Sequence, residues 1–288
     1  MTRFGPTSHS FMSQRTRLHY VDWGNRDAPL LILLHGNRDH CRSWDWTAEA
    51  LCAKWHVVAP DLRGHGDSDW SQEGRYDFAS LVCDLDQLLF ELGGQKAAIM
   101  AHSMGSHVAL RYAGLFPDAV TRLVAVEAVG APAEQEEEHR RLSLSQRYRN
   151  WIDTRRAAAS RSPRIYASVE DAQRRMQSEN AWLSGAQACH LTLHGLRQTE
   201  DGGYCWKFDN CLGLWPPVDH SPEETFALWQ RIACPTLAIY GTASWQSPMA
   251  DDIVRNVPDI RRVDLEGAGH WPHHDSFTRF MEEVEAFL

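Results

Sequence analysis

The sequence predicts an α/β fold: a mostly parallel central sheet flanked by helices, with a mainly helical segment inserted in its second half. Three observations carry this expectation. The run Leu31-Ile32-Leu33-Leu34 is apolar at every position, as in strands buried on both faces of a parallel sheet. Such runs alternate with longer stretches of helical period, for example Leu81, Leu85, Leu88, Leu89 and Leu92. The alternation stops after Glu127 and resumes near Thr236. Residues 1–130 and 231–288 are therefore expected to form the core, and residues 131–230 a cap, or lid.

In chain order, Leu18 to Trp23 reads as an early strand, and Leu31 to Leu34 as a strand ended by His35-Gly36. Trp44 to Lys54 is expected to be helical and His56 to Ala59 to be a strand. Asp77 is placed to cap the leucine-striped helix, and Gly93-Gly94 to stop it. Lys96 to Met100 reads as a buried strand, and His107 to Leu115 as a helix. Leu123 to Val126 reads as a strand closed by Glu127. Beyond the insertion, Pro235 to Tyr240 and Arg261 to Leu265 read as strands, Pro248 to Val257 and Ser276 to Leu288 as helices.

Between the strand ending at Met100 and its following helix lies Ala101-His102-Ser103-Met104-Gly105. A serine between small residues at a strand-to-helix turn is the setting of a nucleophile elbow; the other reading is a serine that merely caps the helix. After the turn at His35-Gly36, the amide of Asn37, together with that of Met104, is a candidate oxyanion hole. His35 itself is read as structural. Late in the chain, Gly267-Ala268-Gly269-His270 presents a histidine from a glycine-rich loop. A serine well before a histidine is one of the known triad orders. His270, His273 and His274 have no trusted metal-ligand spacing, so no metal is expected.

With His35-Gly36-Asn37, Asp61-Leu62-Arg63-Gly64-His65-Gly66-Asp67-Ser68, Ala101-His102-Ser103-Met104-Gly105 and Gly269-His270 in this order, the chain resembles the α/β-hydrolase superfamily. The resemblance implies a capped hydrolase that needs no cofactor. It makes the segment from Asp61 to Ser68 a structural loop, expected to be held by local Asp–Arg pairing. It also exposes a departure: in Gly241-Thr242-Ala243-Ser244 a serine stands where the family carries its triad acid. A hydroxyl cannot stabilise an imidazolium as a carboxylate does. Asp251 and Asp252 fall in a helix and are poorly placed. Glu127 closes an apolar strand, where an unpaired carboxylate is costly to bury. Some relatives, including certain haloalkane dehalogenases, carry the acid at this place. The expected catalytic set is Ser103, His270 and Glu127; the competing reading makes Glu127 a solvated strand end.

Formal charge is −9, which disfavours nucleic-acid partners. Seven scattered cysteines without Cys-x-x-Cys spacing point to reduced thiols. Met1 to Gln14 has no apolar h-region, and no run of about 18 apolar residues occurs in the sequence. A cytoplasmic protein without membrane or nucleic-acid partners is expected, as a monomer or homodimer acting on a small molecule. In the insertion, an acidic run from Glu134 to Glu138 precedes Arg140, Arg141, Arg147, Arg149, Arg155 and Arg156. Glu136–Arg140 and Glu137–Arg141 have helical i,i+4 spacing, which favours a solvated helix face over a patch for acidic substrates. Trp182, Trp206, Phe208 and Trp215, with Trp271, are candidates to line a substrate pocket; the alternative is cap core. Trp206 and Phe208 alternate as on a short strand.

A serine nucleophile implies acyl transfer to water, with carboxylic esters first and lactones, thioesters, amides or activated C–C bonds as related targets. Haloalkane dehalogenases and epoxide hydrolases use aspartate there, by the same resemblance. Two further readings are a cofactor-free dioxygenase of this fold acting on a heteroaromatic ring, and a noncatalytic small-ligand receptor.

Overall fold

The computed structural model describes residues 5–212, 216–217 and 221–288. Its strands are β1 (Thr7–Ser13), β2 (Thr16–Asp22), β3 (Leu30–Leu34), β4 (His56–Pro60), β5 (Ala97–His102), β6 (Val120–Val126), β7 (Leu196–Gln198), β8 (Tyr204–Trp206), β9 (Thr236–Gly241) and β10 (Ile260–Leu265). Eight of them form one sheet in the order β1-β2-β4-β3-β5-β6-β9-β10. The pairs β1–β2 and β2–β4 are antiparallel, and all others are parallel. Every residue of β3, β4, β5 and β9 is buried, as helices on both faces of a parallel sheet require. Each fully buried leucine of β3 contributes about 1.5–3 kcal/mol.

The helices are α1 (Asp45–Leu51), α2 (Phe78–Glu91), α3 (Met104–Leu115), α4 (Ala133–Arg141), α5 (Leu144–Ala159), α6 (Val169–Glu179), α7 (Gly185–Gly195), α8 (Pro222–Trp229), α9 (Pro248–Asn256), α10 (Pro272–Asp275) and α11 (Phe277–Phe287). Asp77 caps α2 by accepting from the Ser80 amide at 2.8 Å, and the Gly94 amide closes its far end on Leu89 O. The chain between β6 and β9 holds α4 to α8 and the separate hairpin β7–β8. Its last helix, α8, packs against α3 and sends Trp229 into the main core. Within α4, Arg141 pairs with Glu137 at 3.0 Å; the side chains of Glu136 and Arg140 lie outside the described residues. Among the described residues no helix is long and apolar enough to cross a membrane.

Two expectations change. A strand precedes the one read from Leu18: β1 is an exposed edge strand in which only Phe11 and Ser13 are buried. It joins β2 through Gln14 and Arg15, both at positive φ (49° and 65°), where hairpins usually carry asparagine or glycine. The pairing expected within the loop from Asp61 to Ser68 is also different. Arg63 reaches out to Asp84 on α2 at 2.5 Å. Asp61 instead faces His19 at 2.7 Å and accepts from the amides of Cys41 and Asp67. Burial opposes the Asp61 charge, but these donors and the neighbouring imidazoles outweigh it and hold the carboxyl well below its usual range.

Candidate active site

Ser103 stands at the junction of β5 and α3 with φ 51° and ψ −117°, a conformation strained for any residue with a side chain. The surroundings hold it there. The Ser103 amide donates to Val126 O at 2.8 Å. Ser106 Oγ donates to Ala101 O and Val126 O at 2.6 and 3.0 Å. Gly105 allows the start of α3 to touch the end of β3: a Cβ there would lie 2.6 Å from His35 O and 2.8 Å from Leu34 O. Ala101, in the place where glycine is usual, is fully buried without disturbing the turn. The Ser103 side chain makes no capping bond to α3, so the simple capping reading falls.

His270 lies beyond β10, in a loop tied down by the Gly269 amide donating to Asp275 Oδ2 at 3.0 Å. Its Nδ1 is 3.0 Å from Glu127 Oε2 and its Nε2 is 3.0 Å from Ser103 Oγ. A carboxylate can only accept, so Nδ1 carries the hydrogen and Nε2 offers its lone pair to the serine hydroxyl. Glu127 is fully buried and sits at φ 50°, just past β6. Its Oε1 accepts from the Gly241 amide at 2.5 Å, and its Oε2 from Ser244 Oγ at 2.6 Å. Ser244, where the resemblance expects an acid, thus donates to a carboxylate that stands just past the neighbouring strand. Asp251 and Asp252 pair with Arg262 and Arg255 instead.

Gly36 packs beside the elbow: a Cβ on it would be 3.2 Å from Ser103 Cβ. The next amide, Asn37, and that of Met104 are the two donors singled out from sequence; neither is taken by a described residue. His35 is structural. Its Nδ1–H donates to Gly36 O at 2.7 Å, and its Nε2 accepts from the Leu62 amide at 2.9 Å.

The aromatic candidates scatter. Trp182 is 60% exposed and its ring lies against Gly269, 3.2 Å from where a Cβ would stand. Trp271 packs with the cluster of Leu183, Ala188 and Leu191, binding the histidine loop to α7. Trp206 stacks on Phe208 at 6.3 Å, and its Nε1–H donates to Tyr166 Oη at 3.2 Å. Trp206 belongs to β8, whereas Phe208 lies just past it, with the Arg38 guanidinium 5.8 Å over its ring. Arg38 adjoins Asn37, so Phe208 reaches the candidate oxyanion loop. Trp215 lies outside the described residues. Sequence reasoning missed Trp245. Its ring rests on His270 with centroids 4.1 Å apart, and its Nε1–H donates to Gly130 O at 3.1 Å. A tryptophan following Ser244 gave no periodic or motif signal. His102 was missed as well, although it precedes Ser103: its Nε2–H donates to His270 O at 2.7 Å.

Residues 29–277 match the alpha/beta hydrolase fold family. An uncharacterised protein of Mycobacterium tuberculosis is 28% identical over 90% of this chain and 75% of its own length. Epoxide hydrolase 1 of Caenorhabditis elegans is 25% identical over 96% of this chain and 68% of its own. Among solved structures, the thioesterase domain of a curacin biosynthetic pathway superposes with a TM-score of 0.83 at 22% identity, covering 98% of this chain and 100% of that one. A Mycobacterium tuberculosis esterase gives 0.77 at 21% identity, covering 98% and 92%. At such identities the superpositions speak to the fold.

Proposed function

The chain belongs to the alpha/beta hydrolase family, and within it we propose a serine hydrolase that cleaves carboxylic esters, or related lactone, thioester or amide bonds, of small to medium substrates through an acyl-enzyme on Ser103. The observation that carries this reading is the unbroken line Ser103 Oγ–His270 Nε2 and His270 Nδ1–Glu127 Oε2, each link 3.0 Å. In the first half-reaction Ser103 Oγ attacks the carbonyl carbon while His270 Nε2 takes its proton. Glu127 keeps the imidazole in the required tautomer and stabilises the imidazolium. The amides of Asn37 and Met104 receive the developing oxyanion. His270 then gives its proton to the leaving alcohol, thiol or amine as the bond to the acyl carbon breaks. Water repeats the attack on the acyl-enzyme and delivers its proton to His270, which passes it to Ser103 Oγ as the bond to the acyl carbon breaks and the acid is released.

The choice of bond rests on the nucleophile. Epoxide hydrolases are among the relatives in sequence, but the family resemblance gives those enzymes an aspartate where this chain has Ser103. An esterase and a thioesterase among the similar structures are consistent with acyl chemistry. The test is hydrolysis of p-nitrophenyl acetate and butyrate by wild type and Ser103→Ala. We expect kcat to fall by at least about a thousandfold with little change in KM. An inert wild type, or a variant as active as wild type, overturns the reading.

A further inference from the structure

Behind the elbow, three buried side chains that carry unpartnered polar atoms come together: Asp39, His102 and His273. Each is no more than 6% exposed. Asp39 Oδ1 accepts from the His40 amide at 2.8 Å, but Asp39 Oδ2 has no partner among the described residues. His102 Nε2 must carry a hydrogen because it faces the carbonyl oxygen of His270. Its Nδ1 therefore holds a bare lone pair, and that atom also lacks a partner. Both nitrogens of His273 are unpartnered, so one of them offers a lone pair too. One ligand atom from each of the three side chains lies within 4.8 Å of those of the other two. Buried polar groups are ordinarily satisfied, and those that are not call for an explanation such as an ion or a water.

We infer that Asp39 Oδ2, His102 Nδ1 and one ring nitrogen of His273 form a binding site for a divalent transition metal of the Zn²⁺ class. Two imidazoles and a carboxylate suit such a borderline ion better than Mg²⁺ or Ca²⁺, which take oxygen ligands. Bonds of about 2.0–2.1 Å in tetrahedral geometry space the donors about 3.4 Å apart. Side-chain shifts of under about an ångström reach that spacing. For His102 the outer partner is already in place, the His270 carbonyl, since ligating histidines usually donate their other N–H to such a group. This is a different group from the sequential His270, His273 and His274. It is also the better of the two His₂Asp clusters: in Asp45–His190–His194 the carboxylate is already paired with Arg42 at 2.6 Å. An ion at the inferred site ties together the three loops that carry Asn37, Ser103 and His270. It acts as a brace and takes no part in the chemistry.

The test uses the full chain, stripped with chelator and titrated with Co²⁺ and Zn²⁺. We expect one equivalent bound, visible d–d bands of low-symmetry Co²⁺, and a melting temperature higher by about 5 °C or more at Zn²⁺ a hundredfold above its dissociation constant. Asp39→Asn and His273→Gln should each abolish the bands and the shift, while His190→Ala retains both. Anomalous scattering from Zn²⁺-soaked crystals gives a readout independent of whether these variants fold. A peak in bonding distance of Asp39 Oδ2 supports the site. Its absence there, with a water in its place, overturns it, as does binding that His190→Ala alone removes.

Discussion

Glu127 Oε2 receives two hydrogen bonds, one from His270 Nδ1 and one from Ser244 Oγ, while Oε1 takes the Gly241 amide. Three donors are what a fully buried carboxylate needs, because an ionised group without them costs several kcal/mol. The partners divide by role. Glu127→Gln puts an amide where the imidazole needs an acceptor, and should lower kcat for p-nitrophenyl butyrate by on the order of a thousandfold. Ser244→Ala removes one neutral donor and should lower kcat by less than about tenfold, since hydrogen bonds to charged groups contribute about 1.5–3 kcal/mol spread over all states of the cycle. Glu127→Gln/Ser244→Asp returns a carboxylate to the usual position and should recover at least about tenfold over Glu127→Gln alone. A double variant no better than the single one would show that an acid at 244 cannot reach His270. Ser244 was legible only as a departure. What it does was not, because its partner lies 117 residues away in the chain. Trp245 was illegible for a similar reason: the turn after β9 aims its ring at His270, and no pattern in the sequence encodes that turn's direction.

At the level of elements, the contact between α3 and β3 decides whether the elbow forms. Helix propensity alone favours alanine over glycine at position 105 by about 1 kcal/mol. The Cβ would meet two main-chain carbonyl oxygens, at 2.6 and 2.8 Å, and a backbone cannot swing aside as a side chain can. The clash wins. Gly105→Ala should destabilise the fold by about 2 kcal/mol or more and reduce any p-nitrophenyl butyrate hydrolysis along with it, as urea unfolding and activity assays would show. A variant at least as stable as wild type would mean that α3 can retreat from β3. The small residues around Ser103 made this contact legible, as the all-apolar run made β3 legible. The β1–β2 hairpin was hidden because Gln14 and Arg15 adopt positive φ without the residues that normally announce it. Arg63 misled in the same way, since its charge suggested a local partner and its actual partner, Asp84, comes from α2.

For the molecule as a whole, buried histidines in the loops that follow β3 and β4 make stability depend on pH. His35 and His65 are both completely buried, with their rings 5.0 Å apart. Burial, followed by the mutual repulsion with His65, pushes His35 down to about 3. Burial pushes His65 down to about 4, against weak support from the Arg63 carbonyl and the Asp61 charge. The geometry gives the reason for His35: a proton on Nε2 would confront the Leu62 amide that now donates to it. Composition shows that the chain has many histidines, but only the packed structure tells which ones must stay neutral. In the unfolded chain both titrate near 6.5. Below that pH these two residues alone bind up to two more protons in the unfolded state than in the native state, so stability falls as pH falls and is fully present above about 6.5; burial pushes His102, His194, His273 and His274 the same way. Two groups at about 1.4 kcal/mol per pH unit each make the loss several kcal/mol between pH 6.5 and 4. Melting temperature followed by circular dichroism should therefore be level from pH 7 to 8 and drop steeply from pH 6 to 4.5. His35→Gln should be less stable at pH 7.5, yet lose less on acidification. A wild-type melting temperature that is flat down to pH 4.5 would mean that these imidazoles accept protons within the native fold.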